Sequence, residues 1–304
     1  MIRPVTKEVV DRHGFRFGPR SAAALVVLQI CSLQLGATVA KVLFGMADPL
    51  LVAALRLLFA AILINIVVRP PLASLSAHQW CWIVTWGATF AAMNVAYFQA
   101  LFYMPIGIAA TFELLGPLAL ATAVARSVAG TVAGTLAAAG VVLLVGGIQS
   151  LPLMGIAFGA AAAVMRALYT VLNRKVGQLV SDWSGLSVAL AVGALLTCPI
   201  VGMHYQAIVH APRVMVLGLA VAVLSSLIPY ALDYVALRVM SIATFGVLLS
   251  LSPGLGALIG WVVLGERLSG LQWGSILLIV LSSVVAVLAA ESQSRRSAPS
   301  KDAR

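Results

Sequence analysis

Five charged residues lie inside long apolar stretches of this 304-residue sequence. They are Lys41, Arg56, Glu113, Arg166 and Asp233. A charge at the centre of a membrane costs about 2.5–3.5 kcal/mol on insertion scales, so such residues usually mark a substrate, ion or proton site. The alternative is a buried salt bridge that only fixes the packing of helices.

The depth of these charges predicts which of them act together. Arg56 and Glu113 lie about seven and six residues from the outer ends of their helices, roughly 10 Å at 1.5 Å per residue. Lys41 ends the first helix, where it gates the cavity or snorkels to the interface. We predict that these three line one cavity in which Glu113 titrates. Arg166 and Asp233 lie nearer the inner ends and are predicted to pair there, as a gate or a substrate contact.

Backbone breaks and neutral polar groups complete the predicted site. Gly116-Pro117 and Ser252-Pro253 interrupt two apolar stretches, and proline removes a helical hydrogen bond and frees a carbonyl. Transporters expose such groups to ligands, although an ordinary kink is the alternative. Neutral polar side chains in the apolar stretches either bind substrate or link helices. These are Asn94 and Tyr97, which we favour as ligands, with Gln99, Tyr169 (a further gate candidate), Ser226 and Tyr230.

The elements that must position these residues are membrane helices. The chain is 62% hydrophobic and 9% charged, whereas a soluble domain carries about 25% charged residues. Each apolar stretch is long enough to cross a bilayer as a helix, and strands with open edges are excluded in lipid. We predict an all-α membrane protein with ten transmembrane helices. Their spans are 21–43, 49–68, 79–103, 107–125, 129–147, 152–173, 184–203, 214–236, 241–263 and 270–290.

The basic residues predict the orientation. With both termini in the cytoplasm, fourteen Lys and Arg residues lie on the cytoplasmic side and only Arg213 and Arg267 lie outside. This is the positive-inside pattern. The net charge of +10 flanks apolar runs and does not form a patch with aromatic residues, so it does not indicate nucleic-acid binding. Residues 1–20 and 291–304 are predicted to be cytoplasmic tails.

The two halves of the chain share an ordered set of matches. A shift of 136 residues places Pro117 on Pro253 and 100–104 on 236–240. A shift of 140 places Gly-x-x-x-Gly at 130–134 on the same pattern at 270–274. Five helices are an odd number, so 21–147 and 152–290 are predicted to be inverted repeats, as in many secondary transporters. The glycine pairs indicate close helix packing or a homodimer interface.

Sequence signatures of enzymes are absent. The sequence contains no phosphate-binding P-loop, no His-Glu-x-x-His and no Gly-x-Ser-x-Gly. The four histidines fall in predicted tails or loops, and the three cysteines have no metal-ligand spacing. We therefore expect no enzymatic activity, no cofactor and no bound metal.

The ordered motifs resemble the EamA-type drug/metabolite transporters, and among them the bacterial threonine/homoserine exporters. The resemblance covers about residues 21–290. It implies ten helices in two inverted repeats, and a central cavity formed by helices 3, 4, 8 and 9 and faced by Asn94, Glu113 and Asp233. The matching stretches are 36–41 (GATVAK), 54–57 (ALRL), 93–94 (MN), 107–119 (GIAATFELLGPLA), 167–169 (ALY), 224–230 (LSSLIPY) with Asp233, 244–246 (TFG) and 264–266 (LGE).

Two positions depart from the family pattern. Ser252 stands where the ninth helix usually has glutamate, and Arg166 where the sixth usually has tryptophan. Both changes are expected to make the cavity more positive, which favours a more anionic substrate than threonine or homoserine.

The sequence predicts a secondary exporter of small polar metabolites, foremost amino acids such as threonine or homoserine. It would work by alternating access in the bacterial cytoplasmic membrane, with a small-molecule substrate, protons and the bilayer as partners. Arg56 would bind the carboxylate of a zwitterion and Glu113 its ammonium group. The alternatives are a drug or other-metabolite carrier or importer of the same fold, and a non-transporting membrane scaffold.

Overall fold

The computed structural model describes residues 19–124, 128–146, 151–180, 183–230, 232, 236 and 242–297. Every helix and turn of this described part belongs to a helical bundle, and strands are absent from it. The helices are α1 (Pro19–Leu43), α2 (Pro49–Val68), α3 (Ala77–Tyr103), α4 (Ile106–Val124), α5 (Val128–Gly146), α6 (Leu153–Leu179), α7 (Ser184–Met203), the short α8 (Tyr205–His210), α9 (Arg213–Ala222), α10 (Ile242–Leu249), α11 (Ser252–Leu264) and α12 (Gly270–Ser297). A 3₁₀ turn at Leu72–Ser74 precedes α3.

Membrane-length helices dominate the described chain. Nine spans within it are long and apolar enough to cross a bilayer. A further apolar segment, Val128–Leu144 in α5, is shorter. The prediction of an all-α protein is therefore confirmed for the described residues, which are all-helical in their regular structure and contain nine membrane-length spans.

Four predicted spans differ in detail from the structure, and one of them is the tenth, which continues past residue 290 to Ser297 in α12. The sixth was expected to end at residue 173, but α6 continues to Leu179 because Val176 packs on α3 and Gln79 Nε2 donates to the Leu179 carbonyl (2.8 Å). The eighth passes from α9 into a π-helical turn at Val223–Leu227. The ninth is two helices, α10 and α11, separated at Ser250–Leu251.

The ends of two helices follow directly from local sequence. Asp48 caps α2 by accepting from the amide of Leu50 (2.7 Å), and Pro49 occupies the first helical position, where no amide hydrogen is needed. Ser76 and Gln79 form a reciprocal capping box at the start of α3. These caps set where each helix begins and therefore the depth of the polar residues further along it.

The two halves of the chain pack against each other and not as separate bundles. The principal neighbours are α3 with α6, α5 with α12, α2 with α7, α4 with α6 and α11, and α1 with α9 and α11. Polar links cross these interfaces: Ser187 donates to Asn65 Oδ1 (2.8 Å), and Ser32 donates to the Leu224 carbonyl (2.7 Å). Such bonds link membrane helices because lipid supplies no competing partner.

Close backbone approach at Gly107 joins α4 to α11. A Cβ atom on this residue would lie 2.5 Å from Ala257 Cβ and 2.7 Å from its Cα. Only glycine therefore fits, and small residues of this kind let membrane helices approach closely. The contact brings α4, which carries Glu113, against the helix that begins at Ser252.

Candidate functional site

A cavity of about 110 Å³ lies between α1, α4, α6, α10, α11 and α12. Most of its wall is apolar, but one polar side chain comes from each of five helices. These are Gln29 (α1), Glu113 (α4), Arg166 (α6), Ser252 (α11) and Ser283 (α12). A largely apolar cavity with a few convergent polar groups is the usual form of a small-molecule site.

Glu113 and Arg166 form an ion pair within this cavity. Arg166 Nη1 lies 3.2 Å from Glu113 Oε1, and the side chains are 30% and 17% exposed, respectively. The guanidinium of Arg166 also lies over the ring of Tyr169, 5.4 Å from its centroid. The pair can be partly solvated from the cavity, so its two charges remain accessible to a ligand that carries both signs.

The predicted pairing of Arg166 with Asp233 near the inner mouth stays a prediction. Arg166 lies at the middle of α6, because that helix is longer at its C-terminal end than the sequence indicated, and it pairs with Glu113. Asp233, the predicted partner, lies outside the described residues. The matched Glu113 charge also means that Arg166 does not make the described cavity net positive, contrary to the expectation from the family pattern.

The prediction that Lys41, Arg56 and Glu113 line one cavity is wrong for the described chain. Of the three, only Glu113 is part of the cavity wall. Lys41 Nζ binds Glu266 Oε1 at 2.5 Å. Arg56 is directed into a buried network between α2, α3 and the π-helical turn. Similar depth along separate helices did not imply the same side of the bundle.

Arg56 uses all three guanidinium nitrogens within the protein. Nε donates to Ser226 Oγ (3.0 Å) and Nη2 to the Ser225 carbonyl (2.7 Å), while Nη1 donates to Asn94 Oδ1. Arg56 is 6% exposed and Asn94 is fully buried. Because these donors are engaged, Arg56 and Asn94 tie three helical elements together. Their predicted role in binding substrate stays a prediction.

The tyrosines predicted for the site lie in aromatic packing beside it. Tyr169 and Tyr230 contact Phe90, with ring centroids 5.3 and 6.2 Å apart, respectively. Tyr97 is 6% exposed and its ring packs edge-on against Phe98. None of these three is part of the cavity wall formed by the described residues.

The two prolines behave differently. Pro117 lines the cavity inside α4, which continues to Val124, so Gly116-Pro117 does not break the helix as predicted. Pro253 does follow a break and occupies the first turn of α11. Since proline has no N–H, the carbonyls four residues earlier, at Glu113 and Leu249, lack their helical donor. Both of those residues line the cavity.

Gly116 allows α4 and α6 to approach. A Cβ atom there would lie 2.3 Å from the Ala163 carbonyl oxygen and 2.9 Å from the Ala167 amide nitrogen. This close contact holds Glu113 within reach of Arg166.

We expect Gly116→Ala to separate α4 from α6 and to weaken the ion pair. The variant should have a lower thermal stability than the wild type, and any transport should fall roughly tenfold or more. Gly254→Ala is the matched control, because a Cβ atom on Gly254 meets nothing within 4 Å. The two variants are compared by thermal unfolding in detergent and by flux in proteoliposomes. Equal behaviour of both would contradict the inferred contact.

Glu266 forms a second charged cluster at the end of the bundle where α1 stops. It binds Lys41, and its Oε2 accepts from the amide of Ile106 at the start of α4 (2.9 Å). The chain reaches this position through Gly265 (φ +68°), and the Glu266 amide donates to the Gly260 carbonyl (3.1 Å). This clamp joins α1, α4 and α11 and was missed because Glu266 falls in a loop.

Graded substitutions at Glu266 separate its two contacts. Glu266→Gln keeps an acceptor for Ile106 but loses the ion pair, which costs about 0.2–1 kcal/mol for a partly exposed pair. Glu266→Ala also leaves the Ile106 amide without that acceptor and costs about 1–3 kcal/mol more. Thermal unfolding is expected to rank wild type above Gln and Gln above Ala. Equal melting temperatures of the Gln and Ala variants would mean that the hydrogen bond to the Ile106 amide does not contribute to stability.

Gln29 and Ser283 are cavity residues that the selection of polar side chains from the sequence missed. Both are neutral, and Gln29 is 4% and Ser283 3% exposed. The available signal was an amide in the middle of a long apolar helix, which needs a partner in lipid. Ser252, by contrast, was predicted and does line the cavity, where its Oγ accepts from Gln34 Nε2 (3.1 Å).

Membrane-length helices around a small cavity with an internal ion pair are typical of membrane transport proteins. In agreement, residues 153–288 match the EamA-like transporter family. This match covers most of the second half of the chain. The threonine/homoserine exporter RhtA of Escherichia coli (strain K12) is 29% identical over 276 residues, which cover 89% of this chain and 92% of the relative.

The same exporter from Salmonella typhimurium (strain LT2) is 28% identical over 267 residues, 87% of this chain and 90% of the relative. One solved crystal structure covers 90% of this chain and 99% of its own with a TM-score of 0.58 and 19% identity, which supports the fold alone. The resemblance stated from the motifs, to EamA-type transporters and the threonine/homoserine exporters, is confirmed.

Proposed function

We propose that this protein is a secondary transporter that exports small amino acids, such as threonine or homoserine, across the bacterial cytoplasmic membrane. Its relatives of known name are threonine/homoserine exporters of Escherichia coli and Salmonella. The observation that carries the proposal is the Glu113–Arg166 pair in the cavity. A zwitterion carries one charge of each sign, so its ammonium group could replace Arg166 beside Glu113 and its carboxylate could replace Glu113 beside Arg166.

Arg166 takes the substrate carboxylate in this mechanism and Glu113 takes the ammonium group. Arg166 therefore replaces Arg56 as the cationic site, since the guanidinium nitrogens of Arg56 all bind protein acceptors. The carbonyls of Glu113 and Leu249, which lack their helical donors at Pro117 and Pro253, add acceptors for the ammonium group. A proton and the substrate ammonium compete for the same carboxylate, which couples export to proton entry.

The size of the cavity favours an amino acid over a drug. Pockets for drug-sized ligands measure about 300–1,000 Å³, whereas this cavity measures about 110 Å³. The internal pairing of Glu113 with Arg166 also favours a zwitterion over an anion, because the two charges cancel. A drug fits the size of this cavity less well than an amino acid does, and a more anionic substrate fits its balanced charges less well.

Ten transmembrane helices in two inverted five-helix repeats, with both termini in the cytoplasm, form the proposed architecture. The shorter α5 is the tenth crossing, and the charge bias sets the orientation. Packing supports the repeat. When each helix is replaced by its counterpart in the other half, the α3–α6 contact corresponds to the α9–α1 contact, and the α4–α6 contact corresponds to the α11–α1 contact. All four contacts occur in the structure. Alternating access would rock one half against the other.

Counterflow in proteoliposomes tests the proposal. Purified protein, reconstituted with unlabelled amino acid inside, is expected to accumulate labelled threonine or homoserine and to respond to a pH gradient. Efflux from amino-acid-loaded cells separates export from import. A wild-type protein that moves no amino acid of a full panel would defeat the proposal, and one that moves nothing at all would favour the scaffold alternative.

A further inference from the structure

Among the described residues, Gln29 is the one member of the cavity wall with a buried side-chain atom, Oε1, that lacks a hydrogen-bond partner. Three side-chain atoms of the described chain are buried and lack a hydrogen-bond partner: Gln29 Oε1, Gln34 Oε1 and Trp86 Nε1. Gln34 and Trp86 are not part of the cavity wall, whereas Gln29 is. Buried polar atoms are almost always paired, so an unpaired one calls for an explanation such as a ligand.

The other polar groups of the cavity already have partners. Glu113 pairs with Arg166, and Ser252 Oγ accepts from Gln34 Nε2. Ser283 Oγ accepts from Ser250 Oγ at 2.8 Å. A ligand can thus displace the ion pair with its own charges, but Gln29 Oε1 offers it an acceptor that needs no protein bond to be broken.

Gln29 reaches the cavity from α1, while the ion pair comes from α4 and α6. Groups on three helices can contact three different parts of a small ligand. If the pair binds the ammonium and carboxylate groups, the amide oxygen is left for a donor on the side chain. The hydroxyl of serine, threonine or homoserine is such a donor, and the methyl that replaces it in valine is not.

We infer that Gln29 is a specificity-determining residue, whose Oε1 accepts a hydrogen bond from the side-chain hydroxyl of the transported amino acid. This inference rests on the proposed transport of amino acids. A site with a buried acceptor rejects an isosteric analogue that lacks the donor much more strongly than an apolar pocket rejects a change of shape. Threonine and valine, which differ only by hydroxyl against methyl, are therefore the critical pair.

Competition against labelled threonine counterflow measures the preference. In wild-type protein, unlabelled threonine is expected to compete at least about tenfold better than valine. Gln29→Met, which keeps the length of the side chain but removes the acceptor, is expected to bring the two within about threefold by weakening threonine and sparing valine. Gln206→Met, the same change on the exposed α8, should retain the wild-type ratio.

Each result bears on a different claim. A wild-type protein that carries amino acids but treats threonine and valine alike overturns the role of Gln29 and leaves the transport proposal standing, even if the Gln29→Met protein fails to fold. An unchanged threonine-to-valine ratio in folded Gln29→Met protein has the same meaning. If the wild type carries no amino acid, both the transport proposal and the role of Gln29 fall.

Discussion

Glu113→Gln is expected to abolish the response of transport to a pH gradient and to lower counterflow by about 10- to 100-fold. Glutamine keeps the shape of the side chain but carries no charge and takes up no proton. It removes the carboxylate that pairs with the Arg166 guanidinium, 3.2 Å away in the cavity. Loss of a hydrogen-bonded charged partner costs about 1–3 kcal/mol, and each 1.36 kcal/mol corresponds to a tenfold change in rate.

Uptake of labelled threonine into proteoliposomes, with and without an imposed pH gradient, measures both the rate of counterflow and its response to the gradient. Asp48→Asn is the matched control, because it also neutralises a carboxylate but keeps the cap of α2, for which Asn and Asp are equivalent. The double variant Glu113→Gln with Arg166→Gln removes both charges and is expected to regain stability without regaining transport. Gradient-driven uptake in the single variant at the wild-type level would remove Glu113 from the mechanism.

Composition was sufficient to predict the membrane helices, because an apolar run of about 20 residues has few structures open to it other than a membrane-spanning helix. The partners of the charges were harder to predict. Arg166 was placed near the inner end of a span that stopped at the polar 173–175 segment, yet Val176 packs on α3 and the helix continues. The extra helical turn and a half places Arg166 at the middle of α6, and the packing of α4 against α6 brings it beside Glu113.

Local sequence also could not distinguish the two prolines. Both remove one helical donor, but Pro117 is accommodated within a continuous α4. Before Pro253, the Leu251 amide instead bonds to the Leu248 carbonyl (3.0 Å), a tighter turn that ends α10. Which outcome occurs depends on the neighbouring helices, and these are known only from the tertiary structure.

Glu266 and Gln29 illustrate the remaining gap. A search for charges within apolar spans excludes a loop carboxylate, although Glu266 joins Lys41 to the start of α4. The neutral amides selected from the sequence are Asn94 and Gln99 and not Gln29, which lines the cavity and carries an unpaired acceptor. Contacts between distant parts of the chain decide the roles of both residues, and such contacts cannot be inferred from a single sequence.

Arg56→Met is expected to cause the largest loss of stability among these substitutions. It removes the donors for Asn94 Oδ1, Ser226 Oγ and the Ser225 carbonyl, all in a site that is sealed from water. At roughly 1 kcal/mol or more for each orphaned acceptor, the loss is about 3 kcal/mol. That corresponds to a fall of about 6–12 °C in melting temperature, at roughly 2–4 °C per kcal/mol.

Thermal unfolding in detergent, followed by the loss of monodisperse protein, measures this fall. Arg69→Met is the matched control, since Arg69 is exposed at the end of α2 and makes one long bond, to the Ile66 carbonyl (3.3 Å). Arg56→Lys should be intermediate, because an ammonium group does not reproduce the planar fork of donors. If Arg56 instead bound the substrate, the lysine variant would melt like the wild type and lose affinity for threonine. Stability and affinity measured on this one variant therefore decide between a helix tie and a ligand site.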